Sequence, residues 1–278
     1  MTEDPWVPGP GSVLWERGGD MRLMLVAGRS LLLQVTHKTV AAGVAQHSNY
    51  ATDPWGRLQG TLDLYVAGVN FGYPDGSIAA AQRLRRMHRK IEGVDADGNR
   101  YHALDPEAFA WVHTTLVDGF LLMLQRYIGG VSDEELDQAY DEMRMLGELY
   151  GVPDELSPPD RHGHEEMMQR TVEEKLVPSD VALEVLDQLS KPPPPDILKS
   201  AGQLWRIGMA GPARITRLAT IGDMPEPLRS RLGLTWSERE QRELDAYSAL
   251  ARRTGSLMPE RVRLLPKVYA AKQRAAAS

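Results

Sequence analysis

Seven histidines and no cysteine fix where chemistry can sit in this chain. Without thiols there is no disulfide, no thiolate metal site, no iron–sulfur cluster and no cysteine-ligated haem. A metal or a haem would have to be held by His, Met, Tyr or carboxylate side chains. The histidines are His37, His47, His88, His102, His113, His162 and His164. His88 falls on an apolar stripe with Ala81, Leu84 and Ile91, at spacings of three and four. Arg83, Arg85, Arg86, Arg89 and Lys90 flank that stripe with positive charge. One imidazole on an apolar face rimmed by guanidinium groups suits a haem, which takes an axial ligand, apolar walls and Arg partners for its propionates. A core histidine donating to a backbone carbonyl fits the same pattern.

His113 competes with His88. It shares a face with Phe109, Leu116 and Phe120, near Thr114 and Asp118, so a His–carboxylate pair acting as general base or ligand support is one reading and a satisfied core network the other. Arg57 and Thr61 are spaced i, i+4 on one helix face. Arg57 can anchor an anionic group and Thr61 can donate to a bound oxygen, though such a pair alone is common in helical proteins. His162-Gly-His164-Glu165 reads as a solvated helix start, and His102 lies in a connecting segment.

The elements that position these residues read as helical nearly throughout, without a convincing alternating strand pattern. Gly19–Gly28 and Leu31–His47 form one or two helices with Gly28 as a possible break. Asp53-Pro54 and Asp105-Pro106 are N-cap and N1 signals. The first opens a helix to about Gly68–Phe71. The second opens the most apolar helix, Ala108 to about Tyr127, expected to be central and buried. Between them, Gly72–Gly76 is a turn, Ser77 caps a helix ending near Gly93, and Asp95–Asn99 is turn chemistry rather than a calcium loop. Ser132 and Glu135 form a capping box for a helix to about Tyr150. Further helices follow at about 163–175, 178–190, 196–210, 226–232, 237–253 and 259–275. The Pro192–Pro195 run is a stiff connector. The expected architecture is all-α, a single globular bundle of ten or more helices over residues 1–278, with 196–278 as a loosely joined subregion at most.

The net charge of −6 gives no long-range attraction to nucleic acid. The C-terminal cluster Arg252, Arg253, Arg261, Arg263, Lys267, Lys272 and Arg274 reads as a solvated face. Met1–Gly11 lacks a basic start followed by an apolar run, so no signal peptide is expected. The apolar stretches Leu23–Val35 and Phe120–Leu124 are interrupted or too short to span a bilayer. The expected location is cytoplasmic.

Taken in order, several of these residues carry a family resemblance. Leu31–Gln34, His37, Val40–Val44 and His47-Ser48 are followed by Arg57-x-x-x-Thr61, Val69-x-Phe71-Gly72 and Arg86-Met87-His88. Gly93, Tyr101-x-Ala103-x-Asp105-Pro106, Trp111-Val112-His113, Gly151-Val152-Pro153, Leu228–Gly233 and Leu257-Met258-Pro259 complete the pattern. This order resembles the DUF2236 family, which includes fungal MpaB-type oxygenases and the latex-clearing rubber oxygenases, over roughly residues 5 to 272. The resemblance implies haem b held through its iron by one proximal histidine, with an Arg and a Thr required for function. Arg57 and Thr61 match that motif, the proximal histidine carries over to His88 with His113 as second choice, and His37 and His47 are implied to line the same pocket. Gly60 stands where the rubber enzymes have a distal lysine, which implies an open distal face. Val40–Gly43 lacks the carboxylate those enzymes use as a base, which argues against polyisoprene cleavage by that route. The implied function is a haem-dependent oxygenase or oxidase that uses dioxygen on an apolar, small or lipid-like intracellular substrate. The alternatives are a non-catalytic haem-binding protein and a helical scaffold that has lost the cofactor.

Overall fold

The computed structural model describes residues 5–73 and 75–277. Met1–Asp4 of the N-terminal segment and Pro74 of the Gly72–Gly76 turn lie outside the described residues. Fourteen α-helices are described: α1 (Val13–Arg17), α2 (Leu23–Val35), α3 (Lys38–His47), α4 (Pro54–Thr61), α5 (Gly76–His88), α6 (Pro106–Leu122), α7 (Asp133–Tyr150), α8 (Arg161–Glu174), α9 (Asp180–Ser190), α10 (Gly202–Gly222), α11 (Glu226–Arg231), α12 (Glu238–Leu257), α13 (Glu260–Arg263) and α14 (Pro266–Ala277). The all-α expectation holds apart from one small hairpin, β1 (Glu92–Val94) paired antiparallel with β2 (Arg100–His102).

Helix α6 is the centre. Asp105 caps it by accepting from Ala108 N–H, Pro106 needs no donor at N1, and the helix continues as a π-helical turn over Met123–Ile128. Gly129 and Gly130, both at positive φ, end it. The 23-residue span Pro106–Ile128 is long and apolar enough to cross a membrane, but 72% of its apolar window is buried inside the protein, as expected of a core helix. Phe120, Met123, Leu124 and Tyr127 pack with Met143 and Leu146 of α7 in the main core. Trp111 faces a second cluster containing Leu32 and Leu33 of α2 and Val172 of α8.

Helix α2 runs through Gly28, where a break was expected. The glycine is there because α10 crosses closely: a Cβ at Gly28 would overlap Thr220 Oγ1. The chain turns at Thr36 instead, whose hydroxyl returns to the carbonyls of Leu32 and Leu33. Ser77 is not the cap of α5. It lies inside the helix, fully buried, because the chain doubles back so tightly that a Cβ on Gly72 would crowd Ser77 N. Helix α5 ends at His88, not near Gly93, because residues 92–94 pair with 100–102 around the Asp95–Asn99 turn, where Asp95 accepts from the N–H groups of Asp97 and Asn99. The final expected helix is split by Leu264 and Leu265 into α13 and α14.

The basic C-terminal residues are not simply a solvated face. Arg263 pairs with Asp20 at 3.1 Å, Lys267 with Asp63 at 2.6 Å and Lys272 with Glu16 at 2.8 Å. Arg252 donates to the Arg126 carbonyl. These ties, with the Asp20–Leu264 bridge, fasten the end of the chain onto its beginning.

Candidate functional site

Helix α4 continues without interruption into a π-helical segment, Leu62–Asn70, and the chain then reverses into α5. The two arms pack against each other. The start of the first arm, with Arg57 and Thr61, therefore lies beside the end of the second, with His88. Asp53 sets the first arm by capping Gly56 N–H at 2.9 Å. Its Trp55 donates to the Pro193 carbonyl at 2.8 Å and meets Trp205 edge-on, so the polyproline connector and the start of α10 brace it.

Arg57 Nη1 donates to Thr61 Oγ1 at 2.6 Å, and that hydroxyl donates to the Arg57 carbonyl at 3.1 Å. Both side chains are exposed. Arg57 is nevertheless surrounded by enough protein for desolvation to lower its pKa. A Cβ on Gly60 would meet nothing within 4 Å, so that position faces open space.

His88 is half-buried. Its Nδ1 is 2.8 Å from the Leu84 carbonyl, one turn back, so Nδ1–H donates there and Nε2 is left as the lone-pair nitrogen. Burial, and secondarily the Arg57 charge, lower the imidazole pKa and keep it neutral. Phe109 of α6 meets the ring edge-on at 5.7 Å. Of the surrounding cations, Arg85 is engaged, closing the end of α7 through the carbonyls of Tyr150 and Gly151. Arg57, Arg83, Arg86, Arg89 and Lys90 form no ion pair among the described residues, in a chain of net charge −6. A neutral imidazole with a free nitrogen against an aromatic wall is chemically able to serve as an axial ligand to an iron macrocycle. Among the described residues no three His, Asp or Glu side chains converge on a metal position.

The other predicted residues are placed differently. His113 is 3% exposed and has both nitrogens engaged: Nε2 is 2.9 Å from the Met143 carbonyl, and Nδ1 accepts from the Tyr150 hydroxyl. No nitrogen remains for a metal. Nor is Asp118 its partner. Five helical residues turn the chain by about 500°, which puts Asp118 on another face, where it pairs with Arg29 of α2. His37 lines a separate polar depression of roughly 400 Å³ with Arg100, Asp105 and Glu107, and none of Arg57, Thr61 and His88 borders it. His47 is exposed, with Nε2 on the Glu92 carbonyl at 3.0 Å. The structure thus brings Arg57, Thr61 and His88 together and leaves His37 and His47 on the hairpin side. His162 is exposed beside Glu166, as expected of a helix start, but His164 is 3% exposed and its Nε2 has no partner.

Phe109, Tyr65 and Tyr150 were not singled out from sequence, yet they form the wall behind the site. Tyr65 stands four residues after Thr61 and meets Tyr150 at 6.2 Å, and Tyr150 meets Phe109 at 5.9 Å. The i+4 spacing from Thr61 was the available signal for Tyr65. Tyr150 is separated from every other member in sequence and gave none.

Two mycobacterial proteins are similar along most of their length. Uncharacterized protein Mb2261 of Mycobacterium bovis and uncharacterized protein Rv2237 of Mycobacterium tuberculosis are each 24% identical over 243 residues, covering 86% of this chain and 91% of theirs. No solved structure gives a significant match. Residues 15–253 match the family described as ER-bound oxygenase mpaB/B'/Rubber oxygenase, catalytic domain, and the chain belongs to that family of oxygenase catalytic domains.

Proposed function

We propose that this protein is a haem-dependent oxygenase that acts on an apolar small or lipid-like molecule inside the cell. The observation that carries the reading is His88, with Nδ1 held by Leu84 and Nε2 free, close enough to Arg57 for that charge to help lower its pKa. When bound, a haem b would supply dioxygen activation and electron transfer. His88 would hold it through Nε2. Arg57, whose charge reaches His88, would hold a propionate by a charge-assisted hydrogen bond.

The chain's own residues then divide the remaining work. The Leu84 carbonyl fixes the His88 tautomer and ring plane and raises the basicity of Nε2. Thr61 accepts from the Arg57 guanidinium and donates to the Arg57 carbonyl, so its hydroxyl would brace Arg57 beside the bound group. Phe109 excludes water behind His88, and Met87 is 51% exposed on the same turn, giving an apolar surround suited to an apolar substrate. Gly60 and the carboxylate-free Val40–Gly43 stretch favour a substrate other than polyisoprene.

The test is spectroscopic. Purified protein supplemented with haem is expected to show a Soret band that titrates to one equivalent. His88→Ala is expected to lose most of it, while His113→Gln keeps it. Absence of any Soret band in the wild type would end this reading, and a band retained undiminished in His88→Ala would move the ligand elsewhere.

A further inference from the structure

The buried pair Tyr150–His113 lies apart from the residues proposed to hold the cofactor, and its two groups are a proton donor and a base in direct contact. Tyr150 is 3% exposed and its phenol donates to His113 Nδ1. His113 Nε2–H in turn donates to the Met143 carbonyl at 2.9 Å. The tautomer is therefore set so that the free lone pair of the imidazole faces the phenol. Burial holds this imidazole neutral, with a pKa pushed down to about 4, and burial also raises the phenol well above its ordinary value. In the resting state the proton stays on Tyr150.

The pair lies one ring behind the candidate site. His88 meets Phe109 edge-on at 5.7 Å, and Phe109 meets Tyr150 edge-on at 5.9 Å. From the other arm, Tyr65, one turn beyond Thr61, meets Tyr150 at 6.2 Å. Both arms of the hairpin thus lead to the same phenol.

Resting on the reading of His88 as the haem ligand, we propose that Tyr150 and His113 form a redox-active pair. If a haem held at His88 were oxidised by a peroxide beyond its ferric state, Tyr150 would give up one electron to it. The O–H bond of Tyr150 breaks, and its proton forms an N–H bond at His113 Nδ1. The products are a neutral tyrosyl radical and an imidazolium that keeps its Nε2–H bond to Met143. Re-reduction of the radical returns the proton, because a buried imidazolium without a carboxylate partner is unfavourable.

Other oxidisable side chains lack one of the two requirements. Tyr65 lies against Tyr150, but the groups its phenol approaches, the Tyr150 hydroxyl and the Asn70 amide, are not bases that take up a proton. Trp111 donates to the Leu33 carbonyl, which cannot take a proton. Tyr127 does have an acceptor, the Asp223 carboxylate at 2.6 Å, but it lies at the far end of the central helix.

The experiment uses haem-loaded full-length protein, mixed with one equivalent of hydrogen peroxide and frozen for electron paramagnetic resonance. The expected result is a tyrosyl signal that carries an exchangeable deuteron coupling after preparation in D2O, from the His113 hydrogen bond. Y150F, which keeps the ring, is expected to lose that signal while keeping its Soret band, and Y127F is expected to keep both. An undiminished signal in Y150F overturns the proposal, as does a wild-type radical without exchangeable coupling, a readout that needs no variant. Wild-type protein that takes up haem but yields no protein radical also overturns it and leaves the haem reading standing. Protein that takes up no haem overturns both.

Discussion

Acidification is expected to destabilise this protein steeply, and His113 is the residue whose share can be isolated. In the folded state burial lowers its pKa from 6.5 to about 4, while the unfolded chain titrates near the ordinary value. Between those two values the unfolded state binds one more proton at this position. Stability therefore falls as pH falls through the window from about 6.5 to about 4, and the contribution is flat outside it. One proton corresponds to a slope of about 1.4 kcal/mol per pH unit, and the whole window to about 3 kcal/mol. His37, His88 and His164 are also lowered, each chiefly by burial, and act in the same direction. Glu107, hydrogen-bonded by Lys175, and Glu240, hydrogen-bonded by Ser237, are held low and add losses at lower pH. Asp223 is raised by burial and opposes them. The wild-type profile is thus composite, and a variant must separate its parts. His113→Gln can still donate to Met143 and accept from Tyr150, and it does not titrate. Urea unfolding measured from about pH 7 to about pH 4.5 is expected to give a slope shallower than wild type by about 1.4 kcal/mol per unit, one proton's worth. Identical slopes for the two proteins would refute the assignment of a buried neutral imidazole at 113.

Two further outcomes rest on packing and on buried charge. Gly28→Ala places a Cβ against Thr220 Oγ1 and should destabilise by about 1–2 kcal/mol despite the better helix propensity, read as a lower urea midpoint with an unchanged m-value. Arg29→Met leaves Asp118 without its partner and the Asp223 carbonyl without its 2.6 Å donor. The expected loss is about 3 kcal/mol, toward the lower end for a broken buried pair because Asp118 is 21% exposed, and adding Asp118→Asn should recover part of it.

Much of the helical scaffold was legible from capping chemistry. Asp53-Pro54 and Asp105-Pro106 begin their helices as read and Ser132 caps α7, because an N-cap side chain and a proline at N1 act within three residues. The expected capping box is only half made, since the Glu135 carboxylate pairs with Arg17. Features set by distant contacts were not. Gly28 looked like a break because sequence does not reveal that Thr220 crosses there. The β1–β2 hairpin escaped because three-residue strands carry too few positions to show alternation. The site divides the same way. Arg57 and Thr61 share a face by spacing, and the flanking arginines of α5 are local to His88. The exclusion of His113 depended on Met143 and Tyr150, 30 and 37 residues away, neither of which any local pattern connects to it.

The contrast between His88 and the other imidazoles is what singles out this helical hairpin as the candidate site. His102 uses both nitrogens on backbone groups of its own hairpin, and His47 uses Nε2 on Glu92. His37 and His164 each keep an unpaired nitrogen, but that nitrogen is buried away from the surface. Among the described residues His88 combines a tautomer fixed by an i−4 carbonyl with a second nitrogen that has no partner. The cations at the C-terminal end of α5 are already favourable there, because they meet the partial negative charge of the last-turn carbonyls, so they do not by themselves call for a bound anion. What sets His88 apart is the nitrogen left over: a histidine that served only to tie the helix would need the Leu84 contact alone.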